Sequence, residues 1–361
     1  MRLVVIGVVF LLCVAAGATA GYVVLRDEAV ALGIRFDGYD LRLENAIRRE
    51  RTDGPLLVWL GDSTLVRAGR GGRSAPELLG DALGGTLESR VVAALGLDSF
   101  HHYCLMGPIL DLQPELVVMV ANLSMFDPDR RSRRDNSIAR FIPTSELGRA
   151  VRLPLYERGL TVPRLLLMRT LRYDAINNLR YFGSGVRRMF RRGLNASLRP
   201  RPAAGARTAA LREAYLALAP LAGAQAASSF DYELHRSDAP LRMLGAATSM
   251  ARRRGVTVLV YASPIPHRRH PELGWYDAEE FGRRIGAIGD VVEDGGGEFI
   301  DLHAALPDDA FVDVLGHLTA DGAKRFAAIL GPVVERAMSQ PVTGRKSPGD
   351  GPSTSPAGRP L

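Results

Sequence analysis

The chain has 361 residues, of which 47% are hydrophobic and 24% charged, and carries a formal net charge of +7 at pH 7. That length suits one large α/β domain with insertions or two small domains, and that composition excludes disorder for most of the chain. The charge is carried by arginine, Lys324 and Lys346 being the only lysines. With no RRM, zinc-finger or helix-turn-helix signature it points to no nucleic-acid partner, although a basic surface favours anionic membranes or polymers.

Met1-Arg2 is followed by an uncharged run over 3–25, long enough to span a bilayer as a helix. Arg2 and the free amino group precede the run, and Arg26, Asp27 and Glu28 follow it with a net acidic balance. Residues 1–28 therefore read as a signal anchor or transmembrane helix with the amino terminus in the cytoplasm. The remainder is then exported, as in a single-pass bacterial cell-membrane protein. AGATAG at 16–21 offers a cleavage site for a removable signal peptide, but the apolar run continues through Leu25, which favours the anchor. Cys13 and Cys104 are the only cysteines and support neither a disulfide framework nor a cysteine-rich metal site.

Residues 29–54 read as a linker or short helix leading into a domain over 55–338. Apolar runs of strand length stand at 56–60, 90–94, 116–121, 256–261 and 298–301, most of them nearly continuous, as parallel strands buried on both faces require. Helix-like segments at 75–83, 240–254 and 278–293 lie between them. The alternation predicts an α/β fold with a doubly wound parallel sheet in three α/β/α layers. One interval is too long for a single crossover, giving a helical insertion over about 127–240. Its stretch 164–193 mixes apolar residues with many arginines, which suits either a membrane surface or packing on the domain. Residues 339–361 are rich in Pro, Gly, Ser and Thr and read as a disordered tail.

The first strand run stops at Gly61-Asp62-Ser63, within LLVWLGDSTLVRAG. In an open parallel sheet this places Ser63 at the carboxyl end of a strand, where active sites form. Gly61 is expected to permit a tight turn, and the N–H groups of the helix that follows suit a developing oxyanion. The plainer alternative is that Asp62 or Ser63 only caps that helix. A serine nucleophile needs a histidine base oriented by a carboxylate. AFVDVLGHLTADG near the far end supplies His317, before a helix that Thr319 can cap, and Asp313 four residues earlier. Surface positions are the default for His101, His102, His267 and His270, and the basic cluster of PIPHRRH reads as a solvated loop bordering the site. The histidines show no metal-ligand spacing, so no metal and no cofactor is expected.

Four separated blocks, GDSTL at 61–65, VVAALGLDSFHHY, LVVMVANLSMF and FVDVLGHLTADG, together resemble the SGNH/GDSL hydrolase superfamily over about 56–330. The resemblance implies a flavodoxin-like sheet, Ser63 as nucleophile, His317 as base and Asp313 as its acid partner. It also implies an oxyanion hole from the N–H groups of Ser63 and Gly96 and the Asn122 amide, with Gly107 a rival to Gly96. Two departures stand out: three residues rather than two separate Asp313 from His317, and Leu123 rather than Asp follows Asn122. Asp308 and Asp309 are therefore alternative acid partners. The resemblance implies an esterase acting on an acyl ester or acylated carbohydrate of the cell envelope through an acyl-serine. The alternatives are an O-acyltransferase served by a membrane acyl-donor protein, and a non-catalytic envelope module retaining the fold.

Overall fold

The computed structural model describes residues 54–66, 73–83, 87–94, 97–126, 232–272 and 277–339, with isolated positions 43, 46, 47, 49, 51 and 142. The expected anchor, most of the linker, most of the insertion and the tail lie outside the described residues. Among the described residues no helix is long and apolar enough to cross a membrane.

Five strands form one parallel sheet: β1 Leu56–Gly61, β2 Glu88–Ala93, β3 Leu116–Ala121, β4 Thr257–Ala262 and β5 Glu298–Asp301, in the order β2-β1-β3-β4-β5. The helices are α1 Ser63–Val66, α2 Ala75–Ala82, α3 Ser99–Asp111, α4 Ala239–Arg253, α5 Arg269–Glu272, α6 Ala278–Asp294 and α7 Ala320–Ser339. Side chains alternate across each strand, so a strand covered on both sides must be apolar throughout. Leu56, Val58 and Leu60 of β1 face the core with α3, α4 and α6, while Leu57 and Trp59 face α2 and α7. All six residues of β1 and of β3 are buried.

The helix faces follow from handedness. A right-handed crossover from β1 outward to β2 puts α2 on one side, and the crossovers running the other way, β2 to β3, β3 to β4 and β4 to β5, put α3, α4 and α6 on the other. The direction in which strands are added therefore reverses between β1 and β3, and the loops leaving their carboxyl ends part to opposite faces. This switch point is where open α/β sheets hold their ligands.

The sequence reading placed strands at all five positions, with β2 beginning two residues earlier than expected. It missed α3, which is buried on nearly every side from Ser99 through Gly107 and again at Ile109 and Leu110. A helix without a polar face has no amphipathic period to detect.

Candidate active site at the carboxyl ends of β1 and β3

β1 ends at Gly61, and the chain enters α1 at once. The expected reason for this glycine needs correction: its φ is not positive, and close packing is what requires it. A Cβ here would lie 2.7 Å from Leu65 Cδ1 and 2.8 Å from Val120 Cγ2. Asp62, almost fully buried, performs the capping that the sequence allowed for either residue. Its Oδ1 accepts the Thr64 N–H at 2.9 Å and the Thr64 hydroxyl at 2.6 Å. Ser63 is left to face the other end of the chain, and its Oγ lies 2.9 Å from His317 Nε2.

Across the switch point, Asn122 follows β3 and heads a 3-10 turn, Leu123–Met125. Its Oδ1 accepts the Ser124 N–H at 3.1 Å, which fixes the amide so that Nδ2 donates to Asp62 Oδ2 at 3.2 Å. Asn122 thus forms the turn after β3 and is also joined, through Asp62, to the turn that presents Ser63. Burial, and after it the Asp62 carboxylate, hold the Tyr261 hydroxyl well above its ordinary pKa.

His317 and Asp313 share a loop over 312–317 that is closed at its base. Phe311 and Leu318 form an antiparallel bridge, and the Val312 N–H donates to the His317 carbonyl at 2.7 Å. Within the loop, Asp313 Oδ2 lies 2.6 Å from His317 Nδ1. Oδ1 accepts the N–H groups of Leu315 at 2.9 Å and His317 at 3.2 Å. A carboxylate only accepts, so Nδ1 carries the imidazole proton and Nε2 is an acceptor turned toward the Ser63 hydroxyl. This assignment follows from the hydrogen-bond network. The third intervening residue is absorbed at Gly316, whose φ of +89° suits glycine and where a Cβ would sit 2.8 Å from the Pro264 carbonyl oxygen. Thr319 then caps α7, accepting the Gly322 N–H at 2.9 Å.

No family model and no curated protein matches the chain. Solved structures do. One is a carbohydrate acetylesterase family member from Sinorhizobium meliloti, 13% identical over 79% of this chain and 100% of its own, with a TM-score of 0.34. Another is a catalytic mutant of Axe2, an acetylxylan esterase from Geobacillus stearothermophilus, 10% identical over 81% of this chain and 97% of its own, with a TM-score of 0.39. A third is LAE5, an alpha/beta hydrolase enzyme from the metagenome of Lake Arreo, Spain, 13% identical over 80% and 96%, with a TM-score of 0.35. Likeness of this degree carries no weight for the chemistry, which rests on the geometry above.

The structure brings Ser63, His317, Asp313 and Asn122 to one end of the sheet. Gly96 lies outside the described residues. Gly107 is no rival to it: it sits inside α3, where a backbone N–H belongs to the helical ladder. The alternative acids are engaged elsewhere, Asp308 accepting the Arg268 N–H at 3.4 Å and Asp309 pairing with Arg325 at 3.1 Å. The surface default fails for His101, His102 and His270, each 1% exposed. His101 pairs with Asp98, the N-cap of α3, at 2.6 Å, and His270 reaches the loop over 312–317, its Nε2 lying 2.9 Å from the Val314 carbonyl oxygen. Among the described residues no group of three or more His, Cys, Asp or Glu can hold a metal ion. An open groove of about 580 Å³ between α2 and β2, bordered by Arg73, Glu77 and Asp81, includes none of the site residues.

Sequence reasoning overlooked the contact of Asp62 with Asn122 and that of His270 with Val314. The first was concealed by the ordinary frequency of Asp beside a helix start. The second had a faint signal, since PIPHRRH follows the strand next to β3.

Proposed function

We propose that the protein is a serine esterase of the SGNH/GDSL type, which cleaves an acyl ester through an acyl-serine intermediate. The observation that carries this reading is the continuous set of contacts from Ser63 Oγ to His317 Nε2 at 2.9 Å and from His317 Nδ1 to Asp313 Oδ2 at 2.6 Å. In that arrangement His317 removes the hydroxyl proton as Ser63 attacks the ester carbonyl, and Asp313 stabilises the imidazolium that results. The negative charge on the former carbonyl oxygen is met by the Ser63 N–H and the Asn122 amide. His317 next gives its proton to the departing alcohol. It then activates a water, whose attack on the acyl-serine releases the acid and restores Ser63.

Of the two departures that favour a non-catalytic module, the Asp–His spacing is accommodated by the Gly316 turn without loss of either contact, while Leu123 still follows Asn122 in place of Asp. The anchor read over 1–28 makes an envelope ester the substrate class, with the site on the exported side of the membrane. Fractionation of cells expressing the full chain tests that placement, and recovery in the soluble cytoplasmic fraction would refute it.

The catalytic reading is tested with a fluorophosphonate probe on the full-length protein, beside Ser63→Ala and His317→Ala. Labelling of the wild type that vanishes in Ser63→Ala and nearly vanishes in His317→Ala is the expected result. Folded wild-type protein that takes no label would overturn the reading.

A further inference from the structure

His270 belongs to the segment that follows β4, and that segment is tied to both neighbouring strands. The Ser263 N–H donates to the Ala121 carbonyl at the end of β3, and the Ile265 N–H donates to the His303 carbonyl beyond β5, each at 3.0 Å. The same segment carries the Pro264 carbonyl against which Gly316 packs. From this fixed base the buried His270 ring reaches the catalytic loop, its Nε2 lying 2.9 Å from the Val314 carbonyl oxygen. A carbonyl only accepts, so Nε2–H is the donor.

The Val314 carbonyl and the Leu315 N–H belong to one planar peptide group, so turning one turns the other. The Leu315 N–H donates to Asp313 Oδ1 at 2.9 Å, and Asp313 Oδ2 holds His317 Nδ1. The contacts therefore run in series from His270 through the Val314–Leu315 peptide, Asp313 and His317 to Ser63.

We propose that His270 is a positioning residue for the acid–base pair: by holding the Val314–Leu315 peptide it aims the Asp313 carboxylate at His317. It touches no reacting atom and acts through this peptide. The inference rests on the acyl-serine reading above. Loops of this kind lose catalytic alignment through small displacements, and a misplacement of about 1 Å costs on the order of 100-fold in rate.

The test compares His270→Phe, which keeps a ring without a donor, with His270→Gln, which restores an N–H, in the full-length chain. Labelling rate with the fluorophosphonate probe, kcat and KM on p-nitrophenyl acetate, and thermal midpoint are read for each. The expected result is a fall in labelling rate and kcat of roughly 10- to 100-fold for the phenylalanine variant, with KM little changed, and recovery of most of that loss with glutamine. Wild-type labelling by the phenylalanine variant would overturn the inference while leaving the acyl-serine reading intact. So would a glutamine variant no faster than phenylalanine. Should the phenylalanine variant not fold, His270→Asn, whose amide stops short of Val314, takes its place against glutamine under the same criteria. Folded wild-type protein that takes no label at all would instead remove the acyl-serine reading itself.

Discussion

Asp313 has both carboxylate oxygens committed, one to two backbone N–H groups and the other to His317 Nδ1. Asp313→Asn keeps the size of the side chain but allows an amide N–H to face the imidazole. His317 then takes the tautomer with its proton on Nε2 and no longer accepts from Ser63. Steady-state kinetics on p-nitrophenyl acetate should show kcat lower by on the order of 10⁴-fold with KM little changed. A kcat within a few-fold of wild type would mean that the carboxylate does not set the tautomer. Asp62 belongs to the same scale: one buried carboxylate joins Thr64, on the turn that presents Ser63, to Asn122 beyond β3. A charged group this buried persists because each oxygen has its hydrogen bonds.

At the level of elements, the loop over 312–317 has no regular secondary structure yet is held at several points. It is closed by the Phe311–Leu318 bridge, supported by His270, and turned at Gly316 against the segment after β4. Gly316→Ala meets two costs together: a positive φ that L side chains disfavour and a Cβ 2.8 Å from the Pro264 oxygen. The expected outcome is a loss on the order of 2 kcal/mol in urea unfolding, accompanied by lower kcat because the loop must shift. Wild-type stability and wild-type kcat together would show that the turn tolerates a side chain. The strands and the helices α2, α4 and α6 were legible because burial on two faces, or on one, writes continuous or periodic apolar runs. α3 was not, since burial on nearly all sides erases the period, and its only local sign was the Asp98 cap.

For the whole molecule, buried imidazole links stability to pH. His102 is fully buried in α3 and its Nε2 has no hydrogen-bond partner. Burial pushes its pKa down from 6.5 to about 4, and burial also lowers that of His270. The unfolded chain therefore binds more protons than the folded one between these values. The His102 contribution is complete above pH 6.5 and is lost as the pH falls from 6.5 toward 4. Unfolding free energy should drop by roughly 3 kcal/mol from this group across that window, and His102→Leu should flatten the profile by a similar amount. Parallel pH profiles for the two proteins in urea titrations would contradict this account. The same scale explains how the site closes at all. β5 stands three strands from β1, about 14 Å at the usual spacing, so the chain after β5 must pass back over the end of β4 to bring His317 to Ser63.

The sequence by itself determined the layered parallel sheet, the position of Ser63 after its first strand, and His317 and Asp313 as the pair nearest to hand for it. Those features are local: strand burial, a strand-to-helix turn and a four-residue separation are all written within short stretches. Tertiary structure alone decided the sheet order, the use of Asp62 as the link to Asn122, the packing reason for Gly61, and the His270 contact with the loop over 312–317. Each depends on residues far apart in the chain, Asp62 with Asn122 and His270 with Val314. Their meeting is fixed by crossover handedness and strand order, which leave no periodic mark on the residues concerned.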